Sequence, residues 1–123
     1  MNVGFGKQFL KELQQYPQPD RTKILSFAQQ VRDEGFANLP GRNKFSEDVD
    51  TDDPEFLQKV RYVHEHCLWH YHIGIIEYDT TKPLGDQTSE YVVHYSRKEV
   101  NSIKLVDYSA HPPFRLPTIT YLD

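Results

Sequence analysis

Residues 57–78 read LQKVRYVHEHCLWHYHIGIIEY, and the reading of this stretch decides the fold. It is dense in Val, Ile, Tyr and His, the β-branched and aromatic types that suit a pleated surface, and its residues alternate. The reading is two strands, Leu57 to His66 and Leu68 to Tyr78. Downstream, Glu90 to Tyr95 and Ser102 to Tyr108 repeat the signal, with Gly85 and Asp86 marking one turn and Ser96 to Asn101 another. Segments joined in this way pair consecutively and antiparallel. A sheet of about four strands is expected.

Upstream the period changes. Asn2 to Gly6 suits a short strand; Phe9, Leu10 and Leu13 then recur at helical spacing until Pro17 and Pro19 stop the helix. Asp20 is placed to cap a second helix, in which Ile24, Leu25, Phe27, Ala28 and Val31 form an apolar stripe ending near Gly35. From Ala37 to Phe56 the chain is rich in Pro, Gly, Asn and Asp and reads as a long surface loop. The three prolines in the tail HPPFRLP, from His111, exclude a central strand and predict an extended run along the domain edge. A short strand, a helical hairpin and then a meander define an α+β protein.

The chain has 123 residues, the usual size of one domain, and the reading is a single domain over 1–123. Fifteen Phe and Tyr, with Trp69, supply a core without staples. Cys67 is the only cysteine, which excludes a disulfide framework and a cysteine-based zinc site and points to a reducing compartment. No apolar run approaches a membrane span, so a cytoplasmic protein without a membrane partner is expected. The formal charge is −4, which opposes nucleic-acid binding, but residues 46–56, SEDVDTDDPEF, hold six of the eighteen acids and no base. Outside this acidic surface loop, 14 bases face 12 acids.

His64, His66, His70 and His72 fall within nine residues. On one unbroken strand they would share a face but span roughly 26 Å, too far for one ion. Either His-x-His pair would offer two ligands if a third came from elsewhere. The alternation of Asp48, Asp50 and Asp52 resembles the start of a calcium loop, but Asp53 stands where glycine is needed and Lys59 where a bidentate Glu is needed. A solvated charge run is the reading kept. Cys67 lies next to histidines, yet on a strand it points away from the even-numbered ones. What remains is a set of imidazoles and bases: His70, His72, His94 and His111 as candidate catalytic residues, with Arg42, Lys44, Arg97 and Arg115 as candidate phosphate-binding residues. RNA scission through the 2′-hydroxyl needs a base, an acid and cations around the phosphorane, and His, Arg and Lys supply all three without metal or other cofactor. The plain alternative is that strand histidines decorate a solvated face.

In order, NVGFGKQFLKELQQYPQPDRTKILSFAQQVRDEGF, LPGRNK, LWHYHIGIIEY, SEYVVHY and IKLVDYSAHPPF resemble the first strand, helical hairpin, loop and successive strands of the RelE/ParE superfamily of bacterial toxins. The strand pair ending in HPPFRLP is most similar to the YafO branch. The resemblance implies the toxin of a type II toxin–antitoxin system: an endoribonuclease, or mRNA interferase, that inhibits translation by cutting messenger RNA on the ribosome. It also implies a cognate antitoxin packed on the sheet in a hetero-oligomer. By position in the family pattern, His72 and His111 lead the catalytic set; Arg42 and Lys44 stand where related toxins hold phosphate, and His94 and Arg97 lie on or just past the adjacent strand. The Asp-rich loop is an insertion relative to that pattern. Three other readings stay open at this point: a ParE-like gyrase inhibitor, a non-enzymatic interaction protein, and a metal-dependent nuclease built on a His-x-His pair.

Overall fold

The computed structural model describes residues 1–123. Its elements in chain order are β1 (Asn2–Phe5), α1 (Lys7–Leu13), α2 (Gln18–Glu34), β2 (Asn43–Phe45), α3 (Phe56–His66), β3 (Leu68–His72), β4 (Tyr91–Glu99) and β5 (Ser102–Ala110), closed by a 3₁₀ turn at Ile119–Leu122. The five strands form one mixed sheet in the order β1-β5-β4-β3-β2. β2, β3, β4 and β5 pair antiparallel along the sheet, and β1 joins β5 in parallel at the edge. The α+β class expected from the sequence is therefore present, as a five-stranded mixed sheet with a parallel edge where an antiparallel sheet of about four strands was expected.

The first departure lies in the opening stretch itself. Residues 56–66 are the helix α3, not a strand. Phe56, Val60, Val63 and Cys67 recur at steps of four, three and four, so a helical stripe coexists with the alternation of Val60, Tyr62, His64 and His66. Packing favours the helix, which buries Val63 completely. Cys67 ends α3 in the left-handed conformation, with φ 53°, and the chain reverses directly into β3. His64 and His66 are thus separated from His70 and His72 by a change of element.

Smaller corrections follow the same logic. β3 stops at His72 rather than Tyr78, because the chain turns at Gly74, with φ 79°. The loop before α3 contains β2, paired to β3 from Asn43↔Tyr71 to Phe45↔Trp69. α2 starts two residues ahead of the anticipated Asp20 cap, since Pro19 is tolerated in a first turn. The Asp20 carboxylate instead accepts a hydrogen bond from the Tyr108 hydroxyl at 3.1 Å. Acidic side chains of the 46–56 loop are tied locally: Asp48 to Lys44, Asp53 to Lys59 and Glu47 to His64.

The main core lies on one face of the sheet. Phe9 and Leu13 of α1 and Ile24, Phe27, Ala28 and Val31 of α2 pack on Tyr71, Val93, Tyr95, Ile103 and Leu105. Phe27 stacks on Tyr71 with centroids 4.6 Å apart. Successive strand residues point to opposite faces, so Tyr71 on the α2 side puts His70 and His72 on the other. That second face is covered by α3 and by the tail, which folds back across it instead of following the edge. Phe114 lies 4.7 Å from the His70 ring, and the Tyr62 hydroxyl of α3 donates to the Pro117 carbonyl at 2.7 Å. No helix is long and apolar enough to cross a membrane.

Candidate functional site

The second face gathers four histidines. His70 and His94 are paired across the β3–β4 ladder, His72 lies two residues further along β3, and His111 enters from the end of β5. Ring centroids are 5.4 Å apart for His72 and His111, 5.7 Å for His70 and His111, 6.0 Å for His70 and His72, and 6.2 Å for His70 and His94. Taking one ring nitrogen from each of His70, His72 and His111, the three atoms lie within 4.8 Å of one another.

β2 and the residue just before it bring the bases. Lys44 is the register partner of His70, and the His72 amide donates to the Arg42 carbonyl at 3.0 Å, so each base stands beside a histidine on the same face. Both bases are in ion pairs: Arg42 Nε to Asp86 at 2.6 Å and Lys44 Nζ to Asp48 at 2.7 Å. The pairing holds the Asp86 and Asp48 carboxyls below the usual carboxylate range. Arg42, Lys44, Ser46, His70, His72 and His111 border one small cavity of about 140 Å³. Beside it, a wider concavity of about 530 Å³ shares Arg42, His72 and His111 and is also lined by Glu77, Asp79 and Glu90.

The rings are fixed by groups that sequence reading missed. His70 Nδ1 is 2.8 Å from Ser46 Oγ, with Ser46 itself buried. His72 Nδ1 is 3.0 Å from the Ser89 carbonyl oxygen and 3.1 Å from the Ser89 amide. In both residues Nε2 is left for other business. Tyr71, from the opposite face, pins the flanking loops: its hydroxyl accepts from the Gly41 amide at 2.9 Å and bonds the Tyr78 hydroxyl at 2.8 Å. No motif marks Ser46 or Ser89 in the sequence, because each works through a contact made only when loop and strand meet.

Burial keeps the imidazoles neutral. It is the largest influence on all four, lowering His70 and His94 to about 3 and bringing His72 and His111 below the ordinary histidine range. Neighbouring histidines add to the effect at His70; Arg42 and Lys44 add to it at His111. Neutral imidazoles offer lone pairs, as proton acceptors or as metal ligands.

Not every expected residue joins. His94 is fully buried behind the cluster, its Nε2 2.8 Å from Ser109 Oγ and its Nδ1 without a partner. It has no path to a substrate. The Arg97 guanidinium lies over Phe36, 5.1 Å from the ring centroid, and donates to the Val100 carbonyl; Phe36 stacks on Tyr95, which places Arg97 on the α2 side. Arg115 borders a separate hollow with Glu12 and Asp107. The assembled site is therefore His70, His72, His111, Arg42 and Lys44. No family model, no curated protein and no solved structure matches the chain.

Proposed function

We propose that the protein is an endoribonuclease and the toxin of a type II toxin–antitoxin system, cutting messenger RNA on the ribosome with the His72–His111 cluster. One observation carries the reading: neutral imidazoles from two separate segments meet in a concavity beside Arg42 and Lys44. One imidazole takes the 2′-hydroxyl proton as the 2′-oxygen attacks phosphorus. The bond from phosphorus to the 5′-oxygen then breaks, and a second group returns a proton to that oxygen, leaving a 2′,3′-cyclic phosphate and a 5′-hydroxyl. The entering phosphate supplies the negative charge that lets the acid imidazole hold its proton.

Arg42 and Lys44 serve the phosphorane. Their carboxylate partners do not prevent this, because both ion pairs are solvent-exposed and a phosphate can displace them. The ribosome and the antitoxin come from the resemblance to RelE/ParE toxins, and the order of strand, helical hairpin and sheet is consistent with it. Primer-extension mapping of transcripts after brief expression tests the proposal. Wild type gives codon-phased cuts; His72→Ala and His111→Ala lose them. Cuts that persist in both variants remove this site, and intact transcripts with stalled supercoiling favour a gyrase inhibitor.

A further inference from the structure

The geometry points to a second use of the same three imidazoles: His70, His72 and His111 form a site for one divalent transition-metal ion of the zinc class, whose binding switches RNA cleavage off. The strand supplies a His-x-His pair and the tail supplies the third ligand, with candidate nitrogens up to 4.8 Å apart. Around a tetrahedral ion at about 2.0–2.1 Å from each ligand, those nitrogens sit roughly 3.4 Å apart. His111 is the side chain free to close the difference, since it is half-buried and stands on the irregular tail.

Three further features fit a metal centre. The Nδ1 atoms of His70 and His72 are engaged by Ser46 and by the Ser89 backbone, which orients Nε2 in the way that outer hydrogen bonds orient ligating histidines. The Nδ1 of His111 is buried without a partner. Arg42 and Lys44 disfavour positive charge at the cluster, but their partners Asp86 and Asp48 and the Glu77, Asp79 and Glu90 of the adjoining concavity offset part of that repulsion. Three imidazoles with no thiolate select zinc, cobalt, nickel or copper over magnesium and calcium, and three protein ligands leave one position open to the concavity. A ring nitrogen whose lone pair is held by a metal cannot take a proton. Occupancy and proton transfer therefore exclude one another.

The switching half of this inference rests on the proposed cleavage activity, and the binding half does not. Protein stripped with EDTA is titrated with Co²⁺, read by the visible bands of four-coordinate cobalt, and with Zn²⁺ by calorimetry. The expected result is one equivalent bound, with affinity lost at least tenfold in His111→Ala and in His72→Gln and kept in a His64→Ala/His66→Ala variant; circular dichroism checks that each variant is folded. Absence of stoichiometric binding, or binding that follows His64 and His66, overturns the site. In parallel, stripped protein is assayed for RNA cleavage with and without one equivalent of Zn²⁺. Cleavage by stripped protein that Zn²⁺ suppresses supports the switch, and cleavage indifferent to bound Zn²⁺ overturns it. Cleavage that requires Zn²⁺ overturns both the switch and the metal-free mechanism while leaving the site in place. Stripped and zinc-loaded protein that both leave RNA intact overturn the proposed function and with it the switch, whatever the metal titration gives.

Discussion

At the scale of single residues, the cluster divides into side chains that act and side chains that hold. Ser46 is buried and its hydroxyl bonds the His70 ring, so its first effect is to hold that ring. Ser46→Ala should leave His70 Nδ1 desolvated and unpartnered, costing about 1–3 kcal/mol in urea unfolding and slowing cleavage. Unchanged stability and rate would remove Ser46 from the site. His94 is a different case: it is sealed from solvent with Nδ1 unpaired, and an unmet buried polar atom destabilises the native state. His94→Leu is of similar volume; it removes the unpaired Nδ1 but also the bond to Ser109 Oγ, so unfolding stability should change by less than about 1 kcal/mol while cleavage persists. Loss of cleavage in a folded His94→Leu variant would restore it to the catalytic set.

At the scale of elements, the site depends on how closely the loop before β2 lies against β3. A Cβ at Gly41 would overlap the His72 carbonyl oxygen and come within 2.7 Å of the Tyr71 ring, so glycine is required there for the approach of two backbones. Gly41→Ala should separate Arg42 from His72 and lose the Gly41 bond to the Tyr71 hydroxyl. The expected outcome is a loss of at least about 2 kcal/mol by chemical denaturation, with a larger fractional loss of cleavage than of folded protein. A variant as stable as wild type would mean that β2 is not held as described. The change of Leu57 to His66 from expected strand to α3 has a functional consequence at this scale. It removes His64 and His66 from the histidine face and leaves β3 as the sole source of a His-x-His pair in the site.

At the scale of the whole molecule, burial of four imidazoles ties folding to pH. All four are held below the ordinary histidine value, whereas the unfolded chain titrates near 6.5. The unfolded state therefore binds more protons below that pH. The stability concerned is present above about pH 6.5 and is lost as the pH falls toward the native values, near 3 for His70 and His94. Asp107 works in the opposite sense. Burial raises its carboxyl to about 6, so its contribution is complete below about pH 4 and is lost as the pH rises through 6. With each fully shifted group supplying a slope of up to about 1.4 kcal/mol per pH unit, the two deeply buried histidines, His70 and His94, outweigh one carboxyl. The urea midpoint in EDTA should fall between about pH 7 and about pH 5, and Asp107→Asn should steepen the fall. A midpoint constant over that range would mean that the histidines are not desolvated in solution.

What the sequence determined by itself is local. Apolar period and proline positions placed the helical hairpin of α1 and α2, and alternation placed β4 and β5, because these signals live within one element. The residue types also nominated His70, His72, His111, Arg42 and Lys44, since few side chains perform proton transfer and phosphate binding near neutrality. Tertiary structure decided the rest. Residues 57–66 satisfy a strand and a helix pattern equally, and only the burial of Val63 against the sheet selected the helix. Arg97 and Arg115 were excluded by which face and edge they reach, a property set by strand pairing and by the path of the tail. The meeting of His111 with His70 and His72 joins residues about forty positions apart, and no local pattern encodes a contact that forms only when the tail folds across the sheet.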